Sequence, residues 1–223
     1  MKNRYGIDIW SDDNFFIEDG VVKVNYKPYP SLIKIVKDVR KQGFKGPLLL
    51  RFPHITKKQV KTLFNTFNAS IKEYDYKGKF NAVFPLKVNQ LPNFIHPLVS
   101  YGKKYNYGLE AGSKAELIIA MTYNNMGSPI TINGFKDKEM IHLCFIAKSM
   151  GHDITVIIEG LNELEMILEV LKETKMEAPN VGLRVRLHSG GSGVWAKSGG
   201  IDSKFGLTST EILEAFELMQ ENE

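Results

Sequence analysis

Cysteine is nearly missing from these 223 residues. Cys144 stands alone, which excludes an internal disulfide and makes a reducing compartment, the cytoplasm, the expected setting. No run approaches the ~18 consecutive apolar residues of a membrane-spanning helix. The opening Met1-Lys2-Asn3-Arg4-Tyr5-Gly6-Ile7-Asp8 leads into no apolar core of signal-peptide length. A GxxxxGK[ST] phosphate loop is absent, and the glycine spacing does not match GxGxxG. No Cys/His grouping has metal-ligand spacing, so no metal ligand is nominated. Basic blocks stop at Lys57-Lys58 and Lys103-Lys104 on a net charge of +4. A nucleic-acid reading therefore rests only on a sequence pI of about 8.9, without a basic stripe or stacking motif. No fixed-period repeat is present, which argues against a solenoid.

What is present is an ordinary soluble composition, 43% hydrophobic and 24% charged, enough for a sizeable core. Strand and helix patterns alternate from residue 46 onward. Apolar runs predict strands at Leu48–Phe52, in the Phe80–Lys87 stretch, and at Asn106–Glu110, Pro129–Asn133, Ile154–Glu159 and Val181–Leu187. Helical spacing predicts Thr56–Tyr74, Leu91–Lys104, Ser113–Asn124, Lys136–Met150, Asn162–Thr174 and Thr208–Gln220. Val60, Leu63, Phe64, Phe67 and Ile71 share one side of the first of these. Pro97 is expected to end or kink the second. Ala115, Leu117, Ile118 and Met121 are expected to face inward from the third. Such alternation implies a parallel sheet covered by helices, either a (β/α) barrel or a doubly wound sheet. The first 46 residues differ. Short strands at Tyr5–Trp10, Phe15–Ile17 and Val21–Tyr26, then a helix over Ser31–Gln42 stopped by Gly43, predict a small β element.

In a parallel sheet, ligands bind where the strands' carboxyl ends open into βα turns. Lys87-Val88-Asn89 follows one strand and Glu110-Ala111-Gly112-Ser113 the next, with Glu116 one helical turn on. Asn133-Gly134 and Glu159-Gly160 follow the third and fourth. Arg184 and Arg186 share a face of the fifth, since strand residues two apart point the same way. Lys87 has two readings. Its stem can lie along the apolar strand end while the amine reaches water, and the window alone favours this. Alternatively, desolvation holds the amine neutral, able to condense with an aldehyde. The glycine-rich stretch 188–207 is either a surface loop or backbone that approaches an anion closely. His54 is a weaker pocket candidate, and His142 and His152 read as surface or core residues.

In order along the chain, Phe84-Pro85-Leu86-Lys87-Val88-Asn89-Gln90, Tyr107-Gly108-Leu109-Glu110-Ala111-Gly112-Ser113-Lys114-Ala115-Glu116-Leu117, Asn133-Gly134-Phe135-Lys136, Leu183-Arg184-Val185-Arg186 and Ser203-Lys204-Phe205-Gly206 resemble the fold-type III pyridoxal-phosphate decarboxylases. Tyr5-Gly6-Ile7-Asp8-Ile9-Trp10, Leu49-Leu50-Arg51-Phe52-Pro53 and the long glycine-rich insert favour the biosynthetic arginine decarboxylase branch over the ornithine and diaminopimelate branches. The resemblance spans nearly the whole chain.

The resemblance implies an α/β fold, part of a TIM-type barrel of the alanine racemase/ornithine decarboxylase kind. Residues 1–46 would form the N-terminal β element and linking helix, and 47–223 the N-terminal part of the cofactor-binding barrel. It implies pyridoxal 5'-phosphate, with Mg2+ as an accessory ion, and conversion of L-arginine to agmatine and CO2 at the entry to polyamine synthesis. Lys87 would be the catalytic Schiff-base lysine. Glu110, Arg184 and Ser203 would line the cofactor pocket, Ser203 together with Lys204 and Phe205 shaping a loop at the barrel mouth. Family members are far longer. A ring-stacking histidine, a later phosphate-binding glycine loop, the acid on the pyridine nitrogen and a C-terminal β domain have no counterpart here. The expectation is an N-terminal portion, inactive alone, that needs a C-terminal half or second subunit and is homo-oligomeric as the full-length enzyme. Two alternatives stay open: a non-catalytic cofactor-binding or interaction fragment, and a decarboxylase of another basic amino acid.

Overall fold

A computed structural model describes residues 6–187 and 206–222. The chain divides into two compact units, Met1–Lys61 and Thr62–Glu223.

In the first unit, α1 (Ile7–Trp10) precedes an antiparallel hairpin of β1 (Phe15–Glu18) and β2 (Val21–Val24), with Phe15 opposite Val24 and Glu18 opposite Val21. The strand expected at Tyr5–Trp10 is thus a single helical turn over its described part. Ile9 N–H donates to Gly6 O at 2.9 Å and Ser11 N–H to Ile7 O at 2.9 Å. A four-residue apolar run carries no period long enough to separate turn from strand. α2 (Leu32–Lys41) starts where expected, Ser31 Oγ accepting the Lys34 N–H at 3.2 Å as its N-cap. The strand expected at Leu48–Phe52 is absent. No strand pairs with the segment and Leu49 is exposed, so its backbone groups have no ladder to join. Ile7, Val24 and Val60 are buried, and Phe15 packs edge-on against Phe52 at 5.4 Å. His54 stacks on Tyr26 at 4.4 Å with Nε2 buried and unpartnered, and burial lowers its pKa. α3 (Pro53–Glu73) begins three residues before the expected start at Thr56.

The second unit is built on a parallel sheet of β3 (Val83–Pro85), β4 (Gly108–Ala111), β5 (Pro129–Ile132), β6 (Asp153–Ile158) and β7 (Asn180–Leu183), in chain order. Between the strands lie α4 (Pro92–Gly102), α5 (Lys114–Tyr123), α6 (Lys138–Ser149) and α7 (Leu161–Thr174); α8 (Ser209–Gln220) follows. The alternation read from the sequence is present. The last strand is shorter than expected, ending at Leu183; beyond it Val185 bridges Leu207 in parallel. α4 passes through Pro97, because Ile95, Leu98 and Val99 are buried around it and that packing outweighs the lost backbone bond.

Register places Leu109, Ile130 and Ile154 side by side, and Ala111, Ile132 and Val156 likewise. All six are fully buried, each large member contributing about 2 kcal/mol by its removal from water. The helices supply Leu117, Ala120, Ile141, Phe145 and Ile167 to the same core. α5 is turned from its expected phase: Leu117 and Ala120 are buried, whereas Ala115 and Ile118 are exposed. Its apolar residues surround the helix, so the spacing does not select a face; the Ser113 cap does (Ser113 Oγ accepts Glu116 N–H at 3.3 Å). Cys144 is buried in mid-helix with its thiol pushed up to about 12 by desolvation. His152 is a core residue. Gly108 is required by close approach, since a Cβ there would lie 1.9 Å from the Pro129 carbonyl oxygen.

Candidate functional site

The carboxyl ends of β3 to β7 carry the candidate residues. β3 runs into a short 3-10 turn, Leu86–Val88, that presents Lys87. Leu86 beneath it is fully buried, while Lys87 itself is exposed. The exposure agrees with the reading in which the amine reaches water and not with the one in which desolvation holds it neutral: β3 is an edge strand among the described residues, paired only with β4. Asn89 shapes the turn, its Oδ1 accepting Leu91 N–H at 3.1 Å.

Glu110 is half-buried on β4, in register with Pro85 on β3 and Thr131 on β5. It thus stands one strand from Lys87 at the same end of the sheet. The next two turns touch. A Cβ on Gly112 would meet the Asn133 carbonyl oxygen at 2.9 Å, and Gly134, at φ 118°, lies against the Gly112 backbone. Asn133 Oδ1 is buried there without a hydrogen-bond partner. Arg184 follows β7, four strand spacings from β3, roughly 19 Å along the sheet. Its guanidinium donates to Glu159 at 2.5 Å. Arg186 turns to the Gly206 carbonyl at 3.2 Å. Lys87 and Glu110 thus lie on adjacent strands and Arg184 at the far edge; Ser203, with Lys204 and Phe205, lies outside the described residues.

Two buried glutamates hold these turns, and sequence reading missed their role. Glu116 accepts Gly112 N–H at 2.7 Å and Gln90 Nε2 at 2.7 Å. One carboxylate therefore ties the β4–α5 turn to the segment after Lys87. Glu163 accepts Glu159 N–H at 2.8 Å and Lys136 Nζ at 3.0 Å. Lys136 is fully buried, its ammonium also donating to the Gly134 carbonyl. The chain Gly134–Lys136–Glu163–Glu159–Arg184 therefore links three successive turns by charge-assisted bonds. A partial signal exists in the sequence: each glutamate is the third residue of its helix, reaching back towards the turn as in a capping box. The lysine partner, 27 residues away, has no such signature.

Chemically, the site offers an exposed primary amine, a half-buried carboxylate, a carboxylate-anchored guanidinium and backbone free of Cβ atoms. The amine is a nucleophile able to condense with an aldehyde carbon, and the guanidinium, at the far edge of the sheet, is a separate donor for an anionic group. Among the described residues no group of three or more His, Cys, Asp or Glu side chains could hold a metal ion.

The parallel βα sheet is of the fold-type III, TIM-barrel kind, of which the chain covers the N-terminal part. Residues 58–223 match the family model for the pyridoxal binding domain of pyridoxal-dependent decarboxylases, and the chain belongs to that family. It is 40% identical to the biosynthetic arginine decarboxylase of Geobacter sp. (strain M21) and 39% identical to that of Bacteroides thetaiotaomicron, over 98% of its own length in each case. It spans about a third of the length of these curated relatives, 35% of each. The crystal structure of the Campylobacter jejuni biosynthetic arginine decarboxylase is 57% identical with a TM-score of 0.89, covering 98% of this chain and 35% of that one. Diaminopimelate decarboxylase from M. jannaschii shares the fold, at TM-score 0.68 and 24% identity over 95% of this chain and 45% of its own. No described helix is long and apolar enough to cross a membrane.

Proposed function

We propose that this chain holds pyridoxal 5'-phosphate through Lys87 and contributes the first part of an active site that decarboxylates L-arginine to agmatine and CO2. The observation that carries the reading is the placement of Lys87 beside Glu110 at the sheet's carboxyl end, in a chain 57% identical to a solved arginine decarboxylase. When bound, the cofactor supplies an electron sink for the pair left behind as CO2 departs. Lys87 Nζ would be the group that holds the cofactor's aldehyde end. Glu110, on the neighbouring strand, would help orient that amine. Arg184, which donates to Glu159, would line the pocket from the last strand. Ser203 is proposed to close the pocket. The Lys136–Glu163 pair excludes water beneath the turns and fixes their backbone.

The test is release of CO2 and agmatine from L-arginine, by this chain alone and by this chain combined with the remaining two-thirds of a relative. Turnover of arginine, lost on Lys87→Ala and absent with ornithine or lysine, is expected of the combination. Turnover of another basic amino acid in preference to arginine would overturn the substrate assignment. A second reading, cofactor capture without turnover, is favoured for the isolated chain by the exposure of Lys87. An exposed amine gains no help from a dry site.

A further inference from the structure

The opposite end of the same sheet carries a second cavity, of about 680 Å³, within the size range of small-molecule sites. The segments leading into β3 and β4 form it, together with the end of α3. It therefore lies at the strands' amino ends, away from Lys87. Lys79, Lys103 and Lys104 line it, and no aspartate or glutamate does. Asn68, Asn81 and Asn106 add amide groups able to donate N–H bonds. The floor is aromatic: Phe64 stacks on Tyr105 at 4.6 Å and meets Phe80 at 5.2 Å. Lys104 Nζ lies 4.6 Å from the Tyr105 ring centre, held by the ring's negative face.

Several other lysines of this unit have carboxylate partners. Lys114 is matched by Asp137 and Glu139, Lys138 by Glu169 and Glu173, and Lys148 by Glu177. Among the described residues, Lys79, Lys103 and Lys104 have no carboxylate within ion-pair distance. Three like charges around a low-dielectric ring floor repel one another, and an anion among them is attracted more strongly than at open surface. We propose that this cavity binds a small phosphate-bearing anion. Lysine ammonium groups act as point charges for phosphate oxygens, and the amides supply the remaining donors. The site is independent of the Lys87 reading.

The probe is inorganic pyrophosphate, titrated calorimetrically against the 223-residue chain at low and moderate salt. Saturable one-to-one binding that weakens with salt is expected. Lys103→Gln with Lys104→Gln should weaken it about tenfold per lysine removed. The two arginine substitutions should retain binding, and Lys138→Gln should leave it unchanged. Circular dichroism checks folding of each variant. On the unaltered chain, pyrophosphate should slow acetylation of Lys79, Lys103 and Lys104 but not of Lys138, read by peptide mass mapping. Adenosine diphosphate in place of pyrophosphate distinguishes ligands: tighter binding marks a ring-bearing phosphate, equal binding marks recognition of the phosphates alone. Non-saturable binding, an unaffected glutamine variant, or uniform acetylation would overturn the proposal.

Discussion

Ile154 and Thr155 are consecutive residues of β6 in different surroundings. Ile154 is fully buried under the helices, with Leu109 and Ile130 along its row. Thr155 faces the other way, beside Thr131, and is only half-buried. The row through Thr155 also contains Glu110. One face of the sheet is thus a dry apolar layer that carries stability. The other holds threonines, a carboxylate and glycines, and is free to carry chemistry. Because side chains alternate along a strand, the two tasks are separated without separating the residues.

The sharpest way to break this comparison is at the buried charge beneath the turns. Glu163→Ala leaves the Lys136 ammonium buried without its carboxylate, and unfolding in urea should show a loss of about 3–5 kcal/mol. A loss under about 1 kcal/mol would mean the pair is solvated and does not hold the turns. Next, Ile154→Ala should cost about 2–5 kcal/mol, while Thr155→Ala should stay within about 0.5 kcal/mol. Similar costs for the two would erase the distinction between faces. Thr208→Ala, which breaks the capping box with Glu211 at the start of α8, should cost about 1 kcal/mol.

The smallest effect concerns His152, whose pKa is lowered from 6.5 by burial. A depressed folded value means that its contribution is fully present above the unfolded pKa and is lost as pH falls through the folded one. The unfolding midpoint should therefore decline on the acid side of 6.5, and His152→Gln should flatten that decline. An unchanged acid limb would show that His152 titrates as freely folded as unfolded.

These contrasts also explain what the sequence made legible. The alternation of strands and helices was readable because short apolar runs alternate with stretches of helical spacing, as in the run within Asp153–Ile158 followed by Leu161–Thr174. Glu110, Arg184 and Lys87 could be nominated because strand ends are local features; their roles stay a proposal. Tyr5–Trp10 and Leu48–Phe52 were misread because a short apolar run does not say whether a partner strand exists. The phase of α5 was misread because its apolar residues surround the helix. The Lys136–Glu163 pair was invisible because only the packing of α6 against α7 brings positions 27 apart together. The exposure of Lys87 depends on what lies beside β3, which no local pattern encodes. The domain limits of 1–46 and 47–223 stay a proposal.

The most direct test of the central claim is borohydride reduction of the chain after addition of pyridoxal phosphate, followed by peptide mass mapping. The account predicts a reduced adduct on Lys87, accompanied by an absorbance band that disappears in Lys87→Ala. Folded protein that carries no adduct on Lys87, or equal labelling in the Lys87→Ala variant, would contradict it.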